Sequence, residues 1–403
     1  MTLNRAELVD AARRLHREHI VVDTEAPVFT SQLVLTERMV ERAHTMLAEG
    51  QSRSAIKMAL GETLAEELES SAESRNEYLA NWHRAGVTVA SSSVYDVGEP
   101  WNAWEETQRE LEIGARVLKA LGGELVEYRT ASDMVAAHRA GKVGVIQNLQ
   151  NTDPLDDRLE RIDELYERGV RICQLTYNLR TRFGDGCLER RDGGLSRLGV
   201  ALVERLNRLG ILVDLSHCSD QTTRDAAEVS AQPVAVTHAS ARAISGHARG
   251  KPDEVLRAVA EKGGFVGVLL VPFFIVPASN PGATTSGNAT LDDVVRHVQH
   301  FIDVAGEDAV GIGTDWSKPF QDALNWGGGG PSALATRSQT SGYDWVGWRP
   351  EDRYSRTVWT EGFERFDQWP NITAALLGAG MTEHVVAKVI GGNFVRVFGA
   401  VCG

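Results

Sequence analysis

The sequence predicts a (β/α)₈ barrel, because eight short apolar runs alternate with helix-patterned segments along its 403 residues. Most of the runs are continuously apolar, which is typical of parallel strands covered on both faces. In such a barrel the residues at the carboxyl ends of the strands carry the chemistry. The predicted strands are residues 19–23, 87–94, 142–148, 170–177, 211–216, 233–238, 264–271 and 308–314.

The segments between the runs carry helix start and stop signals. Residues 196–210 have apolar side chains at helical spacing and end in Gly210, a common C-terminal stop. Ser219 is a typical N-cap, and the segment from Pro252 to Gly263 opens with proline and closes with glycine. The alternative fold is an open doubly wound sheet. No GxGxxG follows an early strand, which disfavours a dinucleotide-binding fold.

The chain is predicted to form a single barrel domain over residues 1–403, with two long segments added to it. Residues 28–86 form a charged, helix-rich insertion after the first strand, and residues 371–403 form C-terminal helices. Residues 316–370 contain six tryptophans around the glycines at 327–330. This segment is interpreted either as a lid or dimer contact, or as a surface excursion.

Composition restricts the class of function. The chain has 42 Lys and Arg against 55 Asp and Glu, a net charge of −13, with 42% hydrophobic residues. The apolar content predicts a folded core, and the acidic balance disfavours nucleic acid, whose binding depends on basic residues. Four cysteines without CxxC spacing predict reduced thiols. The expectation is a cytoplasmic protein that handles a small molecule, with no membrane span and no secretory signal.

Polar side chains stand where the predicted strands end. Because carboxyl ends of parallel strands meet at one face of a barrel, we expect these side chains to lie close together. Two histidines with carboxylates on the first and last strands suit a divalent metal and an activated water. A single buried histidine is more often a core residue, but a pair with an aspartate favours metal binding or catalysis. The strand-end residues are Asp23, Glu25, Gln147, Asn148, Tyr177, Asn178, His217, His238 and Asp315.

The remaining histidines are interpreted differently. His247 lies in a loop after the sixth strand, where contact with substrate remains open. Cys218, next to His217, is interpreted as a small packing residue. The histidines expected to be solvated on helices or their flanks are His16, His19, His44, His83, His138, His297, His300 and His384.

Residues 206–244, LNRLGILVDLSHCSDQTTRDAAEVSAQPVAVTHASARAI, resemble the renal (membrane) dipeptidase family, peptidase family M19 of the amidohydrolase superfamily. The DLSH and THASAR motifs at this spacing are the most specific part of the likeness. It extends over most of the chain outside the two long segments. The supporting segments are residues 21–23, 169–178, 251–268, 308–316 and 370–398.

The resemblance implies a distorted barrel, a homodimer, and two zinc ions that hydrolyse dipeptides. It places His217 and His238 on the second zinc and Asp315 as the acid/base residue. It also implies that Arg249 binds the substrate carboxylate, a task that suits the two-pronged guanidinium.

The chain departs from the family pattern at the first metal. Where the family has DGHND, Glu25 replaces the histidine and Pro27, which cannot ligate, replaces the second aspartate. The bridging glutamate is assigned to Gln147, a neutral and therefore poor bridge between two dications. Tyr177 replaces a substrate-contacting histidine. One divalent ion, zinc, is therefore expected rather than two, with Glu25 and Gln147 as candidate ligands beside the histidines.

The sequence thus predicts a metal-dependent, dipeptidase-like enzyme acting on a small peptide-like or amino-acid-derived carboxylate. A non-hydrolytic relative, such as a decarboxylase, lyase or isomerase, is the first alternative, and a non-catalytic binding module is the second. Retention of Arg249 and Asp315 beside the two histidines favours chemistry, since a binding scaffold needs no proton carrier there.

Overall fold

The computed structural model describes residues 4–26, 28–29, 33–96, 100–276, 289–316 and 359–403. In these residues all strand pairs are parallel and belong to one sheet, in the order β1-β2-β4-β5-β6-β7-β8-β9, with β3 paired to the first half of β4. The strands are β1 Val22–Asp23, β2 Val89–Ser93, β3 Leu125–Glu127, β4 Val143–Leu149, β5 Val170–Gln174, β6 Leu212–Asp214, β7 Ala235–Ala239, β8 Phe265–Val268 and β9 Val310–Ile312.

Hydrogen bonds between the first and last strands nearly close the sheet into a barrel. Thr24 N donates to Ile312 O at 3.1 Å, and the Thr24 hydroxyl lies 2.6 Å from Thr237 O and 3.0 Å from Ile312 O. Asp23, which is fully buried, accepts hydrogen bonds from the Thr314 backbone and hydroxyl at 2.8 and 2.7 Å. The predicted (β/α)₈ fold class is confirmed.

Each of the eight predicted runs overlaps one barrel strand, and β4 and β7 each extend one residue beyond their runs. The ninth strand, β3, was not predicted. It has only three residues, too few for an apolar run, and it forms because Leu125, Val126 and Glu127 pair with the start of β4. Its place outside the barrel order leaves the eight-strand prediction intact.

Helices join the strands, and the predicted caps are in place. Ser196 accepts from Gly199 N, Ser219 accepts from Thr222 N, and Gly210 has the left-handed φ of 73° expected of a helix stop. The helices are α1 Arg5–Glu18, α2 Glu37–Ala48, α3 Arg53–Ser70, α4 Ala72–Ala85, α5 Ala103–Ala120, α6 Ala131–Arg139, α7 Arg161–Glu167, α8 Arg197–Leu209, α9 Asp220–Val229, α10 Arg242–Ser245, α11 Asp253–Glu261, α12 Pro272–Ile275, α13 Leu291–Ala305, α14 Trp369–Gly378, α15 Glu383–Ala387 and α16 Asn393–Cys402.

The segment predicted as a helical insertion holds α2, α3 and α4. Tyr78 and Trp82 of α4 are fully buried, and the Trp82 indole packs edge-on against Phe366 at a ring distance of 6.4 Å. These contacts dock the insertion onto the barrel. Of the tryptophan-rich segment at 316–370, residues 317–358 lie outside the described residues, as does Pro27.

The C-terminal helix α16 packs beneath the strands. Phe394, Val397 and Phe398 are buried in an apolar cluster that takes one residue from each of seven barrel strands, among them Ile146 and Leu212. Those residues precede the polar strand ends, so α16 covers the opposite end of the barrel. The stretch Glu383–Cys402 is long and apolar enough to cross a membrane by length and composition. Of its most apolar window, 44% is buried inside the protein.

Candidate active site

Two histidines face each other at the carboxyl ends of neighbouring strands. His217 follows β6, and His238 belongs to β7. Both are buried, and their Nε2 atoms lie 3.0 Å apart, with the rings inclined by 60°. The structure therefore brings together the two residues that the sequence singled out most strongly.

The hydrogen bond on the far side of His217 determines its tautomer. His217 Nδ1 lies 2.7 Å from Asn178 Oδ1, an amide oxygen that can only accept. The proton of the neutral ring is therefore on Nδ1, and Nε2 keeps its lone pair. Asn178, just after β5, is fully buried and holds the ring from behind.

A longer chain of hydrogen bonds determines the tautomer of His238. Its Nδ1 lies 2.9 Å from the Thr237 hydroxyl oxygen. The hydroxyls of Thr237 and Ser216 donate to the two oxygens of Asp214 at 2.7 and 2.6 Å, so neither has a hydrogen left to give. Thr237 Oγ1 must then accept from Nδ1 of His238. Nε2 of this ring also keeps its lone pair.

Two nitrogen lone pairs at 3.0 Å repel each other unless a cation lies beside them. Burial, followed by the charge of Arg249, holds the pKa of both imidazoles well below its ordinary value. A proton is thus disfavoured, whereas neutral imidazole nitrogens are good ligands for a divalent metal. The pair fits a metal ion on this ground. Within the described ranges, however, no group of three or more His, Cys, Asp or Glu is placed to hold one.

Tyr177 lies flat against His217. The ring centroids are 3.9 Å apart and the planes differ by only 20°. The phenol is half-buried, so it shields one face of the imidazole while it borders the site. The structure therefore places Tyr177 beside the histidine pair.

Glu25 lies on the β1 side of the site. Its carboxylate accepts hydrogen bonds from Ser93 Oγ at 2.7 Å and from Asn148 Nδ2 at 3.1 Å. Burial raises the pKa of Glu25 well above its usual range, the Ser93 hydrogen bond opposes this shift, and the charge of Asp315 adds to it. Asp315, half-buried after β9, donates its backbone N–H to Glu25 O at 2.8 Å. The two predicted acidic residues are therefore neighbours.

Gln147 is not brought to this cluster. Its side-chain amide donates to the Glu127 carboxylate on β3, because successive side chains on a strand point to opposite faces. Asn148 and Gln150 point the other way. Gln150 Nε2 lies 3.2 Å from His238 Nε2, and Gln150 Oε1 lies 3.3 Å from Ser93 Oγ. The glutamine at the site is thus Gln150. Side chains two positions apart on a strand share a face, so Gln150 is expected on the same side as Asn148.

Arg249 and Lys251 are both fully buried beside the pair. The Arg249 guanidinium donates to Ser216 O and His238 O at 2.6 and 2.7 Å, and its Nε has no partner in the described residues. Lys251 Nζ donates to Cys218 O at 2.6 Å, and burial lowers the pKa of this lysine to about 8. Arg249 thus braces the backbone on both sides of the pair and adds positive charge to it.

Three histidines outside the pair are buried. His16 lies between Ala85 O at 3.2 Å and Thr373 Oγ1 at 2.8 Å, and burial lowers its pKa to about 4. His297 accepts from Ala241 N at 2.9 Å, and burial lowers its pKa to about 4 as well. His247 packs edge-on against an aromatic ring, with only 1% of its surface exposed. The expectation that His16 and His297 are solvated was wrong, since helical spacing does not show which helix faces are covered.

Solved structures share this fold over 84–99% of the chain. An amidohydrolase from Pseudomonas aeruginosa is 26% identical, covers 99% of both chains and superposes with a TM-score of 0.70. The probable dipeptidase PvdM from the same organism is 18% identical over 98% of both chains, with a TM-score of 0.70. A metallo peptidase from Rhodobacter sphaeroides, liganded with a phosphinate mimic of the dipeptide L-Ala-D-Ala, is 20% identical. It covers 84% of this chain and 96% of its own, with a TM-score of 0.66.

Sequence comparison identifies the family. An uncharacterised dipeptidase of Schizosaccharomyces pombe is 33% identical over 226 residues, which is 55% of this chain and 53% of that relative. The chain thus aligns with about half the length of this curated relative. The sequence profile of membrane dipeptidases matches residues 9–325, most of the chain. The protein belongs to the membrane dipeptidase family, peptidase family M19.

Proposed function

We propose that this protein is a metal-dependent hydrolase of small dipeptide-like substrates with a free carboxylate, and that it works with one divalent ion, zinc, held by His217 and His238. The observation that carries the proposal is the pair of Nε2 lone pairs, 3.0 Å apart, which the hydrogen bonds behind both rings keep free of protons. Membership of a family of metallopeptidases supports it.

Each neighbouring residue has a role in the proposal. A divalent ion held by His217 and His238 would supply Lewis acidity toward a substrate carbonyl and would activate water. Asn178 and Thr237 keep the ligating nitrogens unprotonated, and Tyr177 holds the His217 ring in place. Asp315, half-buried at the end of β9, is the candidate for moving the proton to the leaving group.

The contacts on the β1 side support one ion rather than two. The Glu25 carboxylate is held by Ser93 and Asn148, and the amide of Gln147 is turned to Glu127. Two dications close together need an anion between them. The side chain that separates Glu25 from the histidines is the neutral Gln150.

The charges beside the pair support an anionic substrate group. Arg249 and Lys251 are buried cations, and neither forms a salt bridge in the described part of the chain. Their field in a low-dielectric site attracts a carboxylate. A dipeptide carries such a group one residue from its scissile bond, which suits the phosphinate dipeptide mimic seen in the Rhodobacter relative.

The proposal is tested by metal analysis and a substrate panel. Protein purified without added metal should contain close to one divalent ion per chain. It should also hydrolyse members of a panel of L,L-, L,D- and dehydro-dipeptides, losing activity with a chelator and regaining it with zinc. His217→Ala and His238→Ala should lose the metal, whereas His83→Ala, at an exposed helix position, should keep it.

Three outcomes would contradict the proposal. Unchanged metal content in both histidine variants would remove the metal assignment. Two tightly held ions per chain would remove the single-ion model. A loaded protein that cleaves none of the panel would exclude dipeptide hydrolysis and favour a decarboxylase, lyase or isomerase reaction.

A further inference from the structure

Residues 249–251 lie alongside the end of β7. Lys251 donates its backbone N–H to Ser240 O at 2.8 Å, and its carbonyl accepts from Arg242 N at 3.0 Å. Through these bonds Ala241 and Lys251 form a parallel bridge. The segment therefore continues the parallel pairing by one step beyond the carboxyl end of β7, next to the histidine pair.

Gly250 permits this close approach. A Cβ atom at this position would lie 2.9 Å from Ser240 Oγ and 3.0 Å from Arg242 N, so a larger residue would push the segment away. The glycine separates two buried cations, Arg249 and Lys251, which are 0% and 1% exposed. The segment thus brings both cations to the strand ends.

The Arg249 guanidinium connects the two histidine positions. Its Nη1 donates to Ser216 O at 2.6 Å, the carbonyl just before His217, and its Nη2 donates to His238 O at 2.7 Å. A guanidinium is planar and rigid, so the distance between its two nitrogens is fixed. One side chain therefore sets the separation between the end of β6 and the end of β7.

Lys251 repeats this connection two residues further along each segment. Its Nζ donates to Cys218 O at 2.6 Å, while its backbone N–H donates to Ser240 O at 2.8 Å. Cys218 lies two residues after Ser216, and Ser240 lies two residues after His238. The same two strand ends are thus tied together a second time.

Direct contact with the substrate carboxylate is the alternative role of Arg249. Its two Nη atoms already donate to backbone carbonyls, and no part of the residue is exposed. Its Nε has no partner in the described residues, but this atom is buried as well. A carboxylate cannot reach the guanidinium in this conformation, so the cation acts on an anionic substrate through its field at a distance.

We propose that Arg249 and Lys251 are positioning residues, which fix the spacing of two strand ends and with it the contact between His217 and His238. The bonds are formed in the free protein, so the pair is preorganised before a substrate arrives. The inference rests on the proposed function only where it gives the pair a role in hydrolysis. The connection itself needs neither an ion nor a substrate.

The ¹⁵N signals of the histidine rings, recorded without substrate, test the positioning role. Arg249→Lys keeps the charge but loses the two-pronged donor, so it can hold only one of the two carbonyls. The ring signals of both His217 and His238 should therefore shift. Lys251→Met removes only the bond to Cys218 O and should shift the signals of His217 alone. The signals are assigned with the alanine variants of the two histidines.

Arg257→Lys is the matched control for the arginine substitution. The side chain of Arg257 lies on α11 and is 53% exposed, far less restricted than Arg249. This variant should leave the ring signals of both histidines and kcat/KM unchanged.

Kinetics separate positioning from substrate binding. Arg249→Lys should lower kcat/KM by about 10- to 100-fold, as expected when the groups that hold a reacting pair are displaced. The factor should be the same for a cleaved dipeptide and for its C-terminal amide, because a positioning residue acts equally on both. A residue that binds the carboxylate would give a loss confined to the dipeptide.

The outcomes also separate this inference from the proposed function. Unchanged ring signals in Arg249→Lys, with a loss confined to the free carboxylate, would overturn the positioning role and assign Arg249 to substrate binding. If that variant does not fold, Lys251→Met decides, since unchanged His217 signals would overturn the proposal. A parent protein that cleaves no dipeptide would remove the proposed function, while the ring signals, which need no activity, would still decide this one.

Discussion

Asn178 Oδ1 lies 2.7 Å from His217 Nδ1, and this one contact determines which nitrogen of the ring faces His238. An acceptor behind the ring fixes the tautomer and raises the basicity of the opposite nitrogen. The contact lies between a residue just after β5 and a residue just after β6. The orientation of the His217 ring is therefore set from the neighbouring strand.

Asn178→Leu should weaken metal binding by about 10- to 100-fold, because the Nδ1 proton of His217 would lose its acceptor and the ring its orientation. Asn178→Asp keeps an acceptor oxygen and should retain most of the affinity. Zinc affinity by chelator competition is the measurement. Equal losses in the two variants would show that packing, and not the acceptor, is what matters at this position.

Tyr177→Ala should lower kcat/KM by about 2- to 12-fold, which is the range expected when an aromatic contact worth about 0.5–1.5 kcal/mol is lost. The stacked phenol holds the His217 ring from one face. Tyr177→Phe keeps the ring and should retain metal affinity. The measurement is steady-state kinetics on a dipeptide that the protein cleaves. A loss of kcat/KM in Tyr177→Phe as large as that in Tyr177→Ala would show that the hydroxyl, and not the ring, is what matters.

Folding stability should decrease below pH 6.5, in part because of His16. Burial lowers the folded-state pKa of His16 from 6.5 to about 4, so between these values the unfolded chain binds a proton that the folded protein does not. Stability is then lost as the pH falls, by about 1.6 kcal/mol between pH 6.5 and 5. When the free energy of unfolding is measured in urea at both pH values, its decrease should be smaller by about this amount in His16→Gln than in the parent protein. An identical pH dependence in the variant would contradict the assignment.

Gly313→Ala should destabilise the fold by about 1–3 kcal/mol, the usual cost of overpacking. A methyl group there would lie 2.3 Å from Thr237 O and 2.6 Å from Thr24 Oγ1, where the first and last strands meet. Gly378→Ala is the control, since its methyl would meet only Leu8 Cδ1, at 3.2 Å, near the end of a helix. Equal midpoints of thermal unfolding in the parent and Gly313→Ala would show that the barrel adjusts at this point.

The fold was predictable because burial on both faces leaves a continuous apolar run in each parallel strand, as in residues 211–216. The histidine pair was predictable for the same reason, since a polar residue directly after such a run stands at the functional end of a barrel. Gln150 was missed because the predicted strand ended at residue 148, so only Gln147 and Asn148 were predicted as its end residues. The strand β4 continues to Leu149, and Gln150 is the first residue after it. The burial of His16 depends on its contact with Thr373 of α14, which lies 357 positions away in the sequence. The spacing of apolar residues around His16 cannot predict such a distant contact.

The groups that hold the two imidazoles come from one arc of the barrel. Asn178 follows β5, Asp214 and Ser216 lie at the end of β6, and Thr237 belongs to β7. No residue of β1 or β9 takes part in these bonds to the ring nitrogens or to Asp214. Glu25, which follows β1 and stands where the family pattern has a ligand, therefore takes no part in the bonds that orient the two imidazoles. The side chains that orient them thus lie on strands other than the one that leads to Glu25. Gln150, within hydrogen-bonding distance of both His238 and Ser93, is the side chain through which a change on one side reaches the other.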